Sequence, residues 1–286
     1  MKSAIIFFVA VLYSLTFPMF VIGEPYTITD CGHDFYPYEE GVIKNNGVAL
    51  PSNKRCVWTI RSRDTASYNL YYDIGSNSRD IGFTATCISS IGSSNVTVSN
   101  FRLSGIGVEK SLPDNCPVLV ITLYSEANPL IVGNNGRYYL RWEARRGTAL
   151  HYSYDSEHEV EVVSGSGIIK HPVVEGRTSY SNNELSTFIF LPEGNTYSNS
   201  AKSVVTYIQD VNGMEGSCCD YLTTYKFVPA EGYKSYFFWS DYDKMCASVT
   251  TAYRKSSDTL MFVFRSDGSV VRSGFRLLYF NVKCNE

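Results

Sequence analysis

The chain has 286 residues, 44% of them hydrophobic, and a formal net charge of -3 at pH 7. Its 25 Lys and Arg and 28 Asp and Glu are spread along the chain without long runs of one sign, which argues against general nucleic-acid binding. The length is sufficient for two domains of ordinary size, each able to bury a core of its own.

Residues 1–23 predict a secretory signal peptide. Lys2 precedes an apolar run that begins at Ala4, and small or aliphatic residues end at Gly23, where a signal peptidase would cleave. The competing interpretation is an uncleaved signal anchor, but Pro18 and several polar residues weaken a stable membrane helix. No later segment is long and apolar enough to span a bilayer. The prediction is therefore a secreted, extracellular protein with no membrane span after cleavage.

Eight cysteines follow this segment. An even number of cysteines in an oxidising compartment is typical of disulfide bonds rather than of metal or redox chemistry. The Asn95-Val96-Thr97 motif predicts N-glycosylation at Asn95.

Short segments rich in β-branched and aromatic residues predict strands along the whole chain. They are Val57–Ile60, Tyr68–Tyr72, Val118–Tyr124, Phe188–Leu191, Val204–Ile208 and Leu260–Phe264. Clusters of Gly, Asn, Ser and Pro separate them, and none carries a long apolar stripe at helical spacing. The pattern favours two β-sandwiches over a helical or α/β fold.

The same unit is written twice in the chain. Gly41-Val-Ile-Lys44 recurs as Gly167-Ile-Ile-Lys170, and the pattern of Cys56–Ile60 recurs in Ser186–Phe190 at nearly the same offset. Collinear matches of this kind predict a duplicated domain. The segment 146–157 has no sustained periodicity, so we place the boundary there and predict domains over 24–146 and 147–286.

The collinear matches also set Cys87 opposite the adjacent pair Cys218 and Cys219, and Cys116 opposite Cys246. Neighbouring residues on a strand point to opposite faces of the sheet. Cys218 and Cys219 should therefore have different partners.

Several motifs carry a resemblance to a known family. They are Cys31-Gly32 and Cys56-Val-Trp-Thr-Ile60 in the first half, and Cys219-Asp-Tyr-Leu222 and Gly274-Phe-Arg-Leu-Leu-Tyr279 in the second. With them each half resembles a CUB domain, and more closely the CUB-like modules of nematode-type secreted proteins, although neither half carries every motif. The resemblance implies an all-β protein of two tandem, disulfide-stapled antiparallel β-sandwiches with a CUB-like jelly-roll fold.

The resemblance also implies a disulfide pattern. The implied pairs are Cys31 with Cys56, Cys87 with Cys116, and Cys246 with one of Cys218 and Cys219, which leaves the other for Cys284. The first bridge is absent from the second half, because Ser186 occupies the place of Cys56 and no cysteine precedes it in that half.

Many CUB domains bind calcium through a Tyr, a Glu, the Asp after the third cysteine and the Asp of a Ser-Asp motif. Asp220 and Asp267 match the last two, Tyr180 matches the Tyr, and Asn212 or Asp210 stands near the place of the Glu. Hard oxygen ligands of this kind suit calcium. The alternative is that both aspartates only cap turns.

The corresponding ligand set is broken in the first half. Ile88 follows Cys87 there, and Ser125-Glu126 stands at the Ser-Asp position. Calcium is therefore the only cofactor that we expect, and only in the second domain.

The sequence carries no recognisable catalytic motif. Its histidines (His33, His151, His158 and His171) form no His-Glu-x-x-His metal motif. No Gly-x-Ser-x-Gly elbow is present, and Gly165-Ser166-Gly167 is typical of a loop. We expect a protein that is not an enzyme. A hydrolase that uses His171 or Ser166 is the remaining catalytic hypothesis.

The 22 tyrosines and 16 phenylalanines divide into two predicted groups. Aromatic residues that alternate within predicted strands are expected in the core. These are Trp58, Phe188, Phe190, Phe262 and Phe275. Those in loop-like sequence are expected to be exposed and available for binding. These are Tyr36, Tyr38, Tyr152 and Tyr154.

The functional expectation is a secreted, non-enzymatic recognition protein that binds an extracellular protein or glycan. CUB-like secreted families are linked to innate immune defence, and the resemblance extends that expectation to this chain. The alternative is a calcium-dependent, lectin-like glycan-binding protein in which Asp220 and Asp267 hold the cation.

Overall fold

The computed structural model describes the chain from residue 25 to residue 283 with gaps. The described residues are 25–31, 33–45, 52–62, 65–74, 81–91, 95–125, 138–147, 160–172, 176–193, 202–215, 218–229, 235–240, 244–246 and 252–283. The predicted signal peptide lies outside them. The described residues form strands and no α-helix, so this part of the chain contains no helix that could cross a membrane.

The first half of the chain contributes ten strands. They are β1 (Tyr26–Ile28), β2 (His33–Tyr36), β3 (Glu40–Lys44), β4 (Arg55–Ile60), β5 (Thr65–Ile74), β6 (Ile81–Ile91), β7 (Asn95–Leu103), β8 (Gly105–Ser111), β9 (Val118–Ser125) and β10 (Tyr138–Arg146). The second half contributes nine. They are β11 (Val160–Ser164), β12 (Gly167–His171), β13 (Leu185–Leu191), β14 (Lys202–Gly213), β15 (Tyr221–Pro229), β16 (Tyr236–Ser240), β17 (Ala252–Ser256), β18 (Leu260–Arg265) and β19 (Gly274–Lys283). All six predicted strands fall within these elements.

The strands form four sheets, two in each half. We call β1-β3-β10-β5-β8 outer sheet 1 and β2-β4-β9-β6-β7 inner sheet 1; β11-β13-β18-β15-β16 is inner sheet 2 and β12-β19-β14-β17 is outer sheet 2. Apart from β1, the strand order is the same in the two halves. Most neighbouring strands are antiparallel, but β1 with β3, β2 with β4 and β11 with β13 are parallel. Each half is thus a β-sandwich, as the sequence predicts.

The recurring Gly-x-Ile-Lys motif has a packing reason. Gly41 pairs across the sheet with Trp142, and Gly167 pairs with Tyr279 at the equivalent position. In both cases the aromatic ring lies over the glycine, where a β-carbon would collide with it. Glycine at this position lets the ring pack directly on the backbone.

Disulfide bonds join the two sheets or their loops in each half. Cys31 is bonded to Cys56 and Cys87 to Cys116 in the first half, and Cys218 to Cys246 in the second. Cys219 is exposed and is bonded to no other described cysteine. Cys284 lies outside the described residues, so a bond between it and Cys219 stays a prediction.

Strand register corrects one of the sequence matches. Tyr124 of β9 pairs with Gly82 of β6, whereas its counterpart on β18, Arg265, pairs with Tyr221 of β15. Gly82 is therefore equivalent to Tyr221, and Cys87 lies five residues further along its strand. The match between Cys87 and the Cys218/Cys219 pair is wrong, since the latter precede β15. The two halves therefore differ in the position of the remaining disulfide bonds as well as in the missing first bridge.

The two inner sheets pack face to face and form a third apolar core between the sandwiches. In the central strands β9 and β18 every residue is buried. Alternate residues point in opposite directions, so Val57 and Val120 contact the second half while their neighbours fill the first sandwich. Ile189 and Val263 face them from inner sheet 2. The molecule is therefore a stack of four sheets.

A buried ion pair crosses the interface between the two inner sheets, which we call the seam. Arg55 Nη2 lies 2.8 Å from Asp258 Oδ2, and the two side chains are 0% and 4% exposed. Arg55 Nε also donates to both carboxylate oxygens, and Nη1 donates to the carbonyl of Ser125 at 2.9 Å. The guanidinium lies over the ring of Tyr236, with 4.9 Å to the ring centroid. The guanidinium and the carboxylate thus neutralise each other inside the interface and also hydrogen-bond to each other.

All five predicted core aromatic residues are buried, but one predicted surface residue is not exposed. Tyr36 is buried beside Trp142 in the first sandwich, because it lies in β2 rather than in a loop. Tyr38 is exposed and stacks on Tyr26. Tyr152 and Tyr154 lie outside the described residues.

Candidate metal centre

Oxygen-bearing side chains from four segments meet at one end of the second sandwich. Tyr180 precedes β13, Glu215 follows β14, Asp220 precedes β15 and Asp267 follows β18. Because these strand ends lie at the same edge of the sandwich, residues far apart in sequence converge. The structure therefore brings together Tyr180, Asp220 and Asp267, which the sequence predicted.

Asp220 is the innermost member of the cluster. Its side chain is fully buried, and one carboxylate oxygen accepts a hydrogen bond from the Asp267 backbone N–H at 2.7 Å. The Tyr180 hydroxyl donates to the other oxygen. Burial raises the pKa of the Asp220 carboxyl, and the charges of Asp267 and Glu215 add to this, although the two hydrogen bonds oppose it. A neighbouring positive charge would therefore stabilise the ionised form of Asp220.

Asp267 lies nearer to solvent. Its Oδ1 accepts hydrogen bonds from the backbone N–H and the hydroxyl of Ser269, both at 2.8 Å. Burial alone would raise the pKa of this carboxyl, but the Ser269 hydrogen bonds and the Arg265 charge lower it overall. Asp267 therefore does cap a turn, as the alternative interpretation holds.

Glu215 completes the cluster, and the sequence did not identify it. One carboxylate oxygen of Glu215 and one of Asp267 lie within 4.8 Å of each other and of the Cys219 sulfur. The Glu215 Oε2 atom is buried and has no hydrogen-bond partner among the described residues. The sequence had pointed to Asn212 or Asp210, whose side chains lie outside the described part of the structure. The register of β14 against β19 shifts between Gln209 and Gly213, which displaces the count along the strand.

The donor set suits a hard cation. The Glu215 and Asp267 carboxylates approach each other, and Asp220, which accepts hydrogen bonds from Tyr180 and from the Asp267 backbone, adjoins them, so most of the donors are oxygen atoms, which calcium prefers. The unpaired Glu215 oxygen and the raised pKa of Asp220 both indicate negative charge that a cation would neutralise. Cys219 is the exception, since a thiolate favours zinc. If Cys219 bonds to Cys284 as predicted, its sulfur is no longer a thiolate ligand.

The equivalent place in the first half cannot hold a similar cluster. The strand registers set Ile81, which is buried in the first core, at the position of Asp220. The sequence matches had placed Ile88 at this position. That match is wrong, but an isoleucine stands at this position in either alignment. Glu126 lies outside the described residues. An aliphatic side chain at the innermost position removes the ligand that the second half supplies.

A second polar cluster lies beside the candidate metal centre, and its side chains are buried. His171 Nε2 is 3.2 Å from Glu184 Oε1, and both side chains are fully buried. Ser186, which replaces a disulfide cysteine, donates its hydroxyl to the same carboxylate. Phe275 and Phe264 flank the His171 ring. His171 therefore cannot meet a substrate, whereas Ser166 lies in the exposed turn before β12.

Comparison with known proteins finds only distant likenesses. No protein-family profile and no curated protein matches the chain. Among solved structures, the CUB1-EGF-CUB2 domain of human MASP-1/3 is 14% identical, with a TM-score of 0.30 over 86% of this chain and 100% of that one. The same domains of rat MASP-1 are 14% identical, with a TM-score of 0.29 over 89% of this chain and all of that one.

The extracellular region of zebrafish Gpr126/Adgrg6 is 10% identical, with a TM-score of 0.29, and the match covers 88% of this chain and 37% of that one. None of these likenesses assigns a function. The β-sandwich fold is established by the strand order of the two halves themselves.

Proposed function

We propose that the protein is a secreted extracellular recognition protein whose second sandwich binds calcium. The observation that carries the cation site is the buried Glu215 carboxylate oxygen that has no partner among the described residues, in a side chain whose carboxylate lies within 4.8 Å of an Asp267 carboxylate oxygen. A buried, unpaired carboxylate oxygen costs free energy that a bound cation recovers. Tyr180, Glu215, Asp220 and Asp267 are the ligands in this proposal.

The cation would act on the surface rather than in a reaction. It would join the segments after β14 and β18 to the one before β15, so that three connections at this end of the sandwich hold one arrangement. A preordered surface loses less conformational entropy when a partner binds. An extracellular protein or glycan is the partner class that we propose, and innate defence is the biological setting that the CUB-like resemblance suggests.

Calcium titration followed by thermal unfolding tests the site. Calcium that binds only the folded protein stabilises it by about 2.7 kcal/mol at a concentration a hundred times Kd. We expect a concentration-dependent rise in Tm for the wild type and none for Glu215→Gln or for Asp220→Asn with Asp267→Asn. Asp114→Asn is the matched control, since this carboxylate is 93% exposed in the first half.

The same titration separates calcium from zinc and from no cation. A shift with zinc alone that is lost in Cys219→Ser would assign the cluster to a thiolate site. If Tm does not shift at calcium concentrations several times above the millimolar Kd typical of extracellular modules, the carboxylates act only as turn and packing residues.

A further inference from the structure

The outward face of outer sheet 2 carries a continuous apolar row. Residues directly opposite each other on neighbouring antiparallel strands point to the same face of a sheet. The strand registers align one residue from each of the four strands in this way, and we call this row the outer stripe. Its members are Ile168, Leu278, Tyr207 and Tyr253. The residues at its two ends, Ile168 and Tyr253, are 55% and 48% exposed.

The outer stripe faces away from the core of the second sandwich. Side chains alternate between the two faces along a strand. The residues adjacent to the stripe on β12, β19 and β14 belong to the apolar core of this sandwich; they are Ile169, Leu277 and Ile208. The stripe therefore lies on the outside of the stack of four sheets.

The apolar surface continues into the next row of outer sheet 2. Val205 pairs with Phe280 there, and the Tyr207 ring stacks on the Phe280 ring with 5.8 Å between centroids. Tyr207 also packs on Tyr253, at 5.2 Å between centroids. The Tyr207 and Tyr253 rings are tilted by 50° to each other, so they do not form one flat platform on which a sugar chain could stack.

The first half has the equivalent row without its apolar character. Gly41 and Gly167 are equivalent, so the row that corresponds to the outer stripe begins at Val42. Its members are Val42, Arg141, Tyr71 and Glu109. The same sandwich thus folds with charged groups on this face. The apolar stripe is a property of the second half alone, and exposed apolar surfaces of this kind mark interaction sites.

A second copy of this chain fits the stripe by symmetry. The charged residues described on this face are all basic: Lys170 and Arg276 lie on one side of the stripe, and Lys255 lies on the other. A two-fold axis along the stripe lays each of its members on the same residue of the second copy. Arg276 then meets the ring of Phe280 rather than another cation.

A two-fold axis at right angles to the stripe also avoids a clash of like charges. It lays Ile168 on Tyr253 of the second copy, and Arg276 meets Gln209, with which it pairs across the sheet in its own chain. Both arrangements bury apolar groups against apolar groups, as symmetric dimer interfaces commonly do.

The size of the face predicts a weak dimer. Strands lie about 4.8 Å apart and rise about 3.4 Å per residue, so a pair of such four-stranded faces buries roughly 1,000 Å² in total. This area is at the low end for a specific interface. We therefore expect a dissociation constant in the micromolar range rather than an obligate dimer.

We propose that the outer stripe is the contact surface of a symmetric dimer of this chain. The two second sandwiches pack outer sheet against outer sheet, and the first sandwiches lie at opposite ends of the assembly. Every other surface of the protein is then presented twice. A multivalent extracellular partner could engage both copies at once and would be held more tightly than by one.

Sedimentation velocity of the mature chain over a concentration series tests the proposal. We expect a monomer–dimer equilibrium that Ile168→Lys or Tyr253→Lys weakens by at least about tenfold, because either change buries an unpaired ammonium in an apolar contact. Both side chains are about half exposed in the single chain, so the variants should fold. Ile106→Lys is the matched control, since this isoleucine is 69% exposed in β8 of the first half.

Opposite charges across the interface should restore the dimer. A mixture of the Ile168→Lys and Ile168→Glu proteins restores it if the axis runs along the stripe. The double variant Ile168→Lys with Tyr253→Glu restores it if the axis is at right angles, because each new charge then meets its opposite in the second copy. Restoration by either pairing also shows that the variants are folded.

Three results overturn the proposal. The first is a chain that stays monomeric up to several hundred micromolar, which would leave the stripe to a different partner. The second is self-association that both lysine variants leave unchanged, as an intermolecular disulfide bond of the exposed Cys219 would give. The third is a dimer that the lysine variants lose and neither charge pairing restores.

Discussion

Asp220 and Asp267 belong to one cluster, but their surroundings shift their ionisation in opposite directions. Burial raises the pKa of Asp220, while hydrogen bonds from Ser269 outweigh burial and lower the pKa of Asp267. Asp267 is therefore stable as a carboxylate without help, and its stabilising contribution is lost as pH falls through its folded pKa. In the proposed site, Asp220 is the residue whose charge the cation would balance.

The raised pKa of Asp220 gives a pH-dependent prediction. A carboxyl with a raised folded pKa stabilises the fold below its unfolded value of 3.8, and that contribution is lost as pH rises through the folded pKa. In EDTA, the wild type should therefore lose stability relative to Asp220→Asn as pH rises from about 3 to about 7. Urea unfolding at each pH measures the difference.

Calcium should abolish or reverse this trend, since the bound cation favours the ionised carboxyl. A difference between wild type and Asp220→Asn that stays constant across the pH range in EDTA would contradict the assignment of Asp220 as the buried member of the cluster.

Residue matches in the sequence identified three of the four residues that we propose as calcium ligands, Tyr180, Asp220 and Asp267. Asp220 and Asp267 lie beside recognisable neighbours, so their spacing was informative. Glu215 was not predictable, because the irregularity in β14 between Gln209 and Gly213 breaks the count along the strand. Such an irregularity in strand register cannot be recognised from the amino-acid sequence alone.

At the scale of the elements, the strands of the inner sheets serve two cores at once. Val118–Ser125 is apolar at nearly every position instead of alternating, which is typical of strands covered on both faces. The sequence predicted this strand correctly, but a short apolar run does not reveal what covers its second face. The ion pair between Arg55 and Asp258 is still less predictable, since its partners are 203 residues apart.

Removal of one partner of that ion pair should be strongly destabilising. Asp258→Asn leaves the Arg55 guanidinium buried without a counter-charge, at a cost of about 3–5 kcal/mol. The double variant Arg55→Met with Asp258→Leu should recover much of the loss, because apolar side chains of similar size fill the same space. Urea unfolding measures both.

The exposed pair of Arg141 and Glu40 provides the control. Arg141→Met should cost no more than about 1 kcal/mol, since solvent screens the pair. A similar small cost for Asp258→Asn would mean that the seam is wet and that the pair contributes little.

At the scale of the whole molecule, the two sandwiches form one stack rather than two separate units. The sequence predicted two domains and a short linker, and each sandwich does have its own core. The third core between the inner sheets would expose a large apolar surface if the halves separated. The Arg55–Asp258 pair exists only in this arrangement.

Differential scanning calorimetry of the mature chain tests the shared core most directly. We predict a single transition in which the calorimetric and van't Hoff enthalpies agree, since neither half can unfold without exposing the core of the seam. Calcium, which binds only the second half in this account, should move the whole transition upward. Two resolved transitions, with only one of them shifted by calcium, would contradict the shared core and would mean that the two halves unfold as independent domains.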